Sequence, residues 1–135
     1  MAKRWWQFWK HEQPHAEGRL FVCGYLVAPG SQLHRRAVET LRLGPDEKLE
    51  KDVDVQLPDA EAIDHLVQEW MGLGRGAITE EQRKAMHQRE TEIGQALYDL
   101  GGTTLIKHVI IKLVYAGLAH ESDFWYWNGV GGHRY

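Results

Sequence analysis

Glu90 is the carboxylate whose position in this sequence most suggests chemistry. Helical spacing places it between Met86, Ile93 and Leu97, at the edge of an apolar stripe that should face the core. A buried carboxylate needs a hydrogen-bonding or cationic partner; without one its pKa rises toward that of a general acid or base. Two interpretations stay open, a catalytic or ligand-binding role and a structural pair. The candidate partners for a structural pair are Lys107, Lys112, His108 and the arginines.

A run of aromatic rings near the C-terminus could form the wall of a ligand site. Residues 120–127 combine four aromatic side chains with a histidine, a serine and two acids. Aromatic walls with a few polar groups suit a small aromatic or cationic ligand. The predicted ligand-binding residues are Trp125, Trp127, Tyr115, Glu90 and His120. Alternatively, every second ring simply docks on the helices, either Phe124 with Tyr126 or Trp125 with Trp127.

The N-terminus carries a second concentration of aromatic residues. Five of the six tryptophans lie at the two ends of the chain, and residues 1–10 read MAKRWWQFWK. Such surface is expected to be buried against the chain's own domain, a second copy, another protein or a membrane. A single short arm would attach only weakly and reversibly to a membrane, so a protein surface is favoured. The predicted interface residues are Trp5, Trp6, Phe8 and Trp9.

Three motifs resemble enzyme signatures but lack the geometry that the chemistry needs. Residues 11–15 (HEQPH) match the zinc-protease pattern, yet Pro14 disfavours the helix that would aim both imidazoles at one metal. The glycines at 72, 74 and 76 follow a predicted helix, whereas a dinucleotide loop follows a strand. Cys23 lies in an apolar run and is interpreted as a buried, inert thiol. We therefore predict no metal or cofactor site and favour a non-enzymatic role.

Periodicity predicts strands in the first half of the chain. Residues 19–28 form a short apolar run that ends before Pro29 and Gly30, which predicts a strand. In residues 49–57, apolar and polar side chains alternate, as in a strand with one solvent-exposed face. Residues 31–43 fit either a helix capped by Ser31 or a strand. We favour the strand slightly, because it would complete a three-stranded meander.

The second half of the chain has a helical period. One helix begins near Asp59, and a second begins at a capping box formed by Thr79 and Gln82. Glycines at 101 and 102 should break the chain before a third, central helix that runs to residue 119. The predicted fold class is α+β, a small antiparallel sheet packed against a layer of about three helices. Residues 1–18 form an arm and hinge, residues 19–128 a single domain, and residues 129–135 a flexible tail.

Charge and hydropathy narrow the classes of partner. The net charge of −3 argues against nucleic-acid binding, which normally needs a basic surface. The most apolar stretch, residues 105–119, contains two lysines and a histidine and is too short to span a bilayer. Near the N-terminus, polar residues interrupt the apolar region that a signal peptide needs, so we predict a cytoplasmic protein. The single cysteine allows no intrachain disulfide.

Spaced glycines and aromatics in the C-terminal half carry a resemblance. The pattern IGxxLYxxGG at residues 93–102, followed by WxGVG at 127–131, resembles small bacterial proteins carried on mobile gene cassettes such as those of integrons. The resemblance covers roughly residues 79–132. It implies a bacterial origin and no particular activity.

Two functional hypotheses follow from the sequence. The first is a non-enzymatic protein-interaction or adaptor module, a homodimer whose interface includes the tryptophan-rich ends, because Trp and Tyr commonly anchor interfaces. The second is a small-molecule binding protein or unrecognised enzyme with an aromatic pocket near the C-terminus, formed by Trp125, Trp127, Tyr115 and Glu90. A cavity lined by Trp125 and Trp127 would favour the second hypothesis.

Overall fold

The computed structural model describes residues 18–44, 47–73 and 79–135. The strands are β1 (Leu20–Val22), β2 (Tyr25–Leu26) and β3 (Val53–Val55), and the α-helices are α1 (Gln32–Leu41), α2 (Glu61–Gly72) and α3 (Glu80–Tyr115). Short 3-10 segments cover Pro58–Ala60, Glu121–Trp127 and Val130–Gly132. The predicted α+β class is confirmed.

The sheet is mixed, with strand order β2-β1-β3. β1 pairs antiparallel with β2 through a two-residue turn, whereas β1 and β3 run parallel. Both turn residues, Cys23 and Gly24, have positive φ (48° and 82°), as a type I′ hairpin turn requires. The predicted single strand over 19–28 is therefore a hairpin, and the predicted all-antiparallel order is wrong at the β1–β3 pair.

Helix α1 occupies the segment for which we favoured a strand, so that prediction is wrong. The Ser31 side chain caps the helix by accepting from the His34 backbone N–H, and Leu33 and Ala37 are buried one turn apart. Arg42 ends the helix in the left-handed conformation at φ 57°. The helix lies where the predicted meander has its middle strand. Because it forms a crossover connection, β3 can lie beside β1 and run parallel to it.

Helix α3 contains the predicted glycine break. Its start is the predicted capping box: Gln82 N donates to Thr79 Oγ1 at 3.1 Å, and Thr79 N donates to Gln82 Oε1 at 3.0 Å. At Gly102 the backbone has φ 70° and ψ −168°, so the element is two helices joined at a kink. The kink lies against the end of the hairpin, where Ala28 N donates to Gly101 O at 2.8 Å. A Cβ on Gly102 would lie 2.9 Å from the Ala28 Cβ.

The main core lies between α3 and the other elements. Helix α3 contacts α1, α2, β2 and both C-terminal 3-10 segments. The apolar side chains that it contributes to this core come from both sides of the kink and are Ile93, Leu97, Leu105, Ile106, Val109, Ile110 and Leu113. Leu20, Val22 and Val55 bury the inner face of the sheet, and Ile63, Val67 and Trp70 bury one side of α2. The second half of α3 is the central helix that its apolar circumference predicted.

His108 joins α3 to the edge of the sheet. Its Nδ1 accepts the backbone N–H of Leu26 at 2.8 Å, and its ring meets those of Phe21 and Tyr25 edge-on. Burial is the largest cause that lowers the pKa of His108 from 6.5 to about 4, and the positive charges of Lys112 and Arg19 add to it. The imidazole is therefore neutral in the folded protein at neutral pH and acts as an acceptor.

This burial predicts that the protein loses stability in acid. The unfolded chain protonates His108 below about pH 6.5, but the folded chain does so only near pH 4. The contribution of the neutral His108 to the free energy of unfolding is complete above pH 6.5. It is lost as the pH falls toward 4, and the total loss is up to about 3 kcal/mol. In urea unfolding between pH 4 and 7, we expect His108→Gln to flatten this slope, while exposed His120→Gln keeps it. An unchanged slope in His108→Gln would contradict the assignment.

Candidate functional site

Trp127 anchors the C-terminal aromatic segment to α3. The side chain is fully buried, and its Nε1 donates to the backbone carbonyl of Glu90 at 2.9 Å. The ring lies against Gly94, where a Cβ would stand 2.7 Å from Trp127 Cδ1. Only glycine leaves room for the indole at this position of the helix.

Two stacked aromatic side chains, Trp70 and Phe124, pack around this anchor. Trp70 of α2 and Phe124 stack nearly parallel, with ring centroids 4.6 Å apart and planes 7° apart. Trp127 packs obliquely against both, at 5.0 Å from Phe124 and 5.5 Å from Trp70. All three rings are buried. The cluster fixes the segment 121–127 between α2 and α3.

The 3-10 geometry of this segment divides its rings between core and surface. Side chains three residues apart share a side in a 3-10 helix, so Phe124 and Trp127 point inward. Trp125 and Tyr126 remain 63% and 38% exposed. Neither alternating pair considered from the sequence docks as a pair, because the alternation expected of a strand does not apply here.

Glu90 has a partner on its own helix. Its Oε2 lies 3.3 Å from His87 Nδ1, and the Glu90 side chain is only 14% exposed. The His87 ring stacks on Tyr126 with centroids 4.0 Å apart. The partners predicted from the sequence were other cations. His87 and Glu90 are three residues apart, a spacing that places two side chains next to each other on one helix.

A surface cleft of about 340 Å³ opens beside Glu90. We call it the carboxylate cleft. Its walls are apolar or aromatic apart from two acids, and they are formed by Trp70, Met71, Leu73, Glu90, Leu118 and Asp123. Asp123 Oδ2 also accepts the backbone N–H of His120 at 2.8 Å. The arrangement suits a group that is positively charged at one end and apolar beside it.

The predicted ligand-binding residues are distributed over core, cleft and surface. Glu90 lines the carboxylate cleft, and Trp127 lies in the core beside it. Trp125 and Tyr115 are 63% and 55% exposed, and His120 is exposed as well. Ligand binding by these five residues stays a prediction. The predicted interface residues Trp5, Trp6, Phe8 and Trp9, the HEQPH motif and the glycines at 74 and 76 lie outside the described residues.

A second cleft, of about 480 Å³, lies beside the hairpin turn. Cys23 lines it with residues 56–58 and the acids Glu61 and Asp64, and no histidine is among its lining residues. Cys23 Sγ is 3.4 Å from both the N and the O of Leu57, so the thiol pairs with backbone. Burial, followed by the hydrogen bond to Asp64, raises the pKa of the Tyr25 hydroxyl. These groups support structure at the turn.

The last seven residues fold back onto the domain, where the sequence predicts a flexible tail. Val130 is buried, and a Cβ on Gly131 would lie 2.3 Å from the Tyr98 ring. Tyr135 N donates to Asn128 Oδ1 at 2.7 Å, and its hydroxyl donates to Val130 O at 3.1 Å. The segment thereby covers α3 beyond Trp127.

Comparison with known proteins leaves the chain without detectable relatives. No family model, curated protein or solved structure matches it. Within residues 18–44, 47–73 and 79–135, no three His, Cys, Asp or Glu side chains are grouped as a metal site would need. None of the helices in those ranges is long and apolar enough to cross a membrane.

The close contact between Gly94 and Trp127 predicts that an added methyl group destabilises the fold. Alanine favours a helix over glycine by about 1 kcal/mol, but Gly94→Ala would overlap a buried indole. Overpacking of this kind costs about 1–3 kcal/mol. We expect a net loss in the free energy of unfolding, measured in urea by tryptophan fluorescence.

Gly72→Ala is the matched control, since this glycine ends α2 with no atom within 4 Å of the added Cβ. It should be neutral or slightly stabilising. A Gly94→Ala protein as stable as the Gly72→Ala protein would show that Trp127 does not need the glycine.

Proposed function

We propose that this chain is a protein-interaction module that self-associates through its aromatic ends. The observation that carries the proposal is the distribution of exposed apolar side chains. Among the described residues, the large hydrophobic side chains that are exposed all fall in residues 115–126, which we call the exposed apolar segment. They are Tyr115, Leu118, Trp125 and Tyr126.

The fold holds this segment in a defined position. Phe124 and Trp127 fasten it to α2 and α3, and Tyr126 rests on the His87 ring. A pre-ordered aromatic surface loses little conformational entropy on binding, which favours association. Trp125, at 63% exposed, is the residue type that most often anchors an interface.

A second copy is the partner that the chain's own composition favours. The N-terminal residues Trp5, Trp6, Phe8 and Trp9 provide a matching aromatic surface in the same polypeptide. A homodimer would bring both aromatic ends of each chain into one closed, two-fold interface. The alternative of a small-molecule pocket has less support, because neither Trp125 nor Trp127 lines the carboxylate cleft. The relationship to gene-cassette proteins stays a prediction.

The proposal predicts that polar substitutions in the exposed apolar segment weaken self-association. Each large anchor contributes about 2 kcal/mol or more, so Leu118→Ser with Trp125→Ser should weaken dimerisation at least thirtyfold. Light-scattering mass and sedimentation over a concentration series measure this. Deletion of residues 1–12 should likewise produce a monomer.

Trp125→Phe is the control, because it keeps an aromatic ring at the same position and should largely retain the dimer. At a protein concentration where both proteins are monomeric, the serine variant should keep the wild-type urea midpoint, since both side chains are 63% exposed. A wild-type chain that is monomeric throughout the concentration series would refute the proposed function.

A further inference from the structure

The carboxylate cleft has two acids without a matching lysine or arginine. Its charged lining residues are Glu90 and Asp123. In the part of the chain that the structure describes, neither forms an ion pair with lysine or arginine, and the contacts of Glu90 and Asp123 are to His87 and a backbone N–H. Two carboxylates on one cleft attract a cation more strongly than either does alone.

One residue that lines the cleft carries a buried donor. Trp70 is 8% exposed, and its Nε1 has no hydrogen-bond partner among the residues that the structure describes. Leaving a buried N–H without an acceptor is destabilising, and nearly all such groups in folded proteins are paired. A peptide occupant brings carbonyl acceptors as well as side chains. A peptide with basic side chains would thus complement the two carboxylates of the cleft.

Residues 3–10 of this chain combine the required groups. Lys3 and Arg4 provide cations directly before Trp5 and Trp6, and Lys10 provides another after Trp9. Their apolar neighbours match the side chains of Met71, Leu73 and Leu118, while the peptide backbone supplies carbonyls.

The length of the segment allows it to reach a second molecule. Seventeen residues precede Gly18, where the described structure begins. Extended at about 3.3 Å per residue, they would span on the order of 55 Å. A domain of this size has a radius of gyration of only about 13–14 Å. The arm of one copy can therefore reach the cleft of another.

We propose that the carboxylate cleft, lined by Trp70, Glu90 and Asp123, receives the basic-aromatic residues 3–10 of a second copy. This inference rests on the proposed self-association and names the contact that would direct it. Lys3 or Arg4 would pair with the carboxylates, and the adjacent tryptophans would cover Leu118 and the exposed apolar segment.

Neutralising the cleft tests the proposal in the full chain. Glu90→Gln with Asp123→Asn keeps side-chain shape and leaves acceptors for His87 and for the His120 N–H. We expect the dimer dissociation constant at low salt to rise at least tenfold, and its salt dependence to diminish. Glu50→Gln with Glu81→Gln removes the same charge outside both the cleft and the exposed apolar segment, and should leave both unchanged.

Charge reversal identifies the arm as the occupant. Lys3→Glu with Arg4→Glu should weaken the dimer, and adding Asp123→Lys to that protein should restore part of the affinity. Urea midpoints confirm that each variant is folded.

The outcomes separate this inference from the proposed function. A wild-type dimer whose dissociation constant is unaffected by Glu90→Gln with Asp123→Asn overturns the cleft assignment and leaves self-association standing. Absence of rescue by Asp123→Lys overturns the arm as occupant. A monomeric wild-type chain refutes the proposed function before any variant is compared.

Discussion

The packing of Trp127 against Gly94 is the contact on which the C-terminal part of this structure depends. A helix offers an indole a flat surface only where a side chain is missing, and Gly94 supplies that surface. The indole N–H then reaches the Glu90 carbonyl one turn earlier in α3. A buried tryptophan donor needs such a partner, so packing and hydrogen bonding select the same orientation of the ring. Trp70 and Phe124 pack around this ring, and α2 is thereby joined to the segment that follows α3.

The same contact sets the character of the surface. Because Phe124 and Trp127 are three residues apart in a 3-10 segment, the two residues between them must point outward. Trp125 is consequently exposed, and Tyr126 lies over the imidazole of His87. That stacking holds His87 within 3.3 Å of the Glu90 carboxylate at the edge of the cleft. Core packing thus determines which rings face solvent and which carboxylate borders them.

Sequence reasoning succeeded where one physical signal dominated. The capping box at Thr79 and the break at Gly102 are local, and both are present in the structure. The structure of residues 31–43 was harder to predict, because the spacing of their few apolar residues fits both a helix and a strand. The helix is favoured by the Ser31 cap and by the burial of Leu33 and Ala37 on one side. The parallel pairing of β1 with β3 depends on the path of the chain through α1, and no local sequence pattern predicts that path.

The candidate site was only partly predictable for a related reason. Glu90 was recognised because a carboxylate interrupts an apolar stripe, and this feature is visible in one helix alone. The roles of the aromatic residues depend on whether residues 121–127 have a strand or a 3-10 period, and a run of four rings fits both. Trp70 is distant in sequence and joins the site through tertiary packing on Phe124. The site is therefore a product of the fold: a glycine on one helix positions a tryptophan, and that tryptophan determines which neighbouring rings the surface exposes.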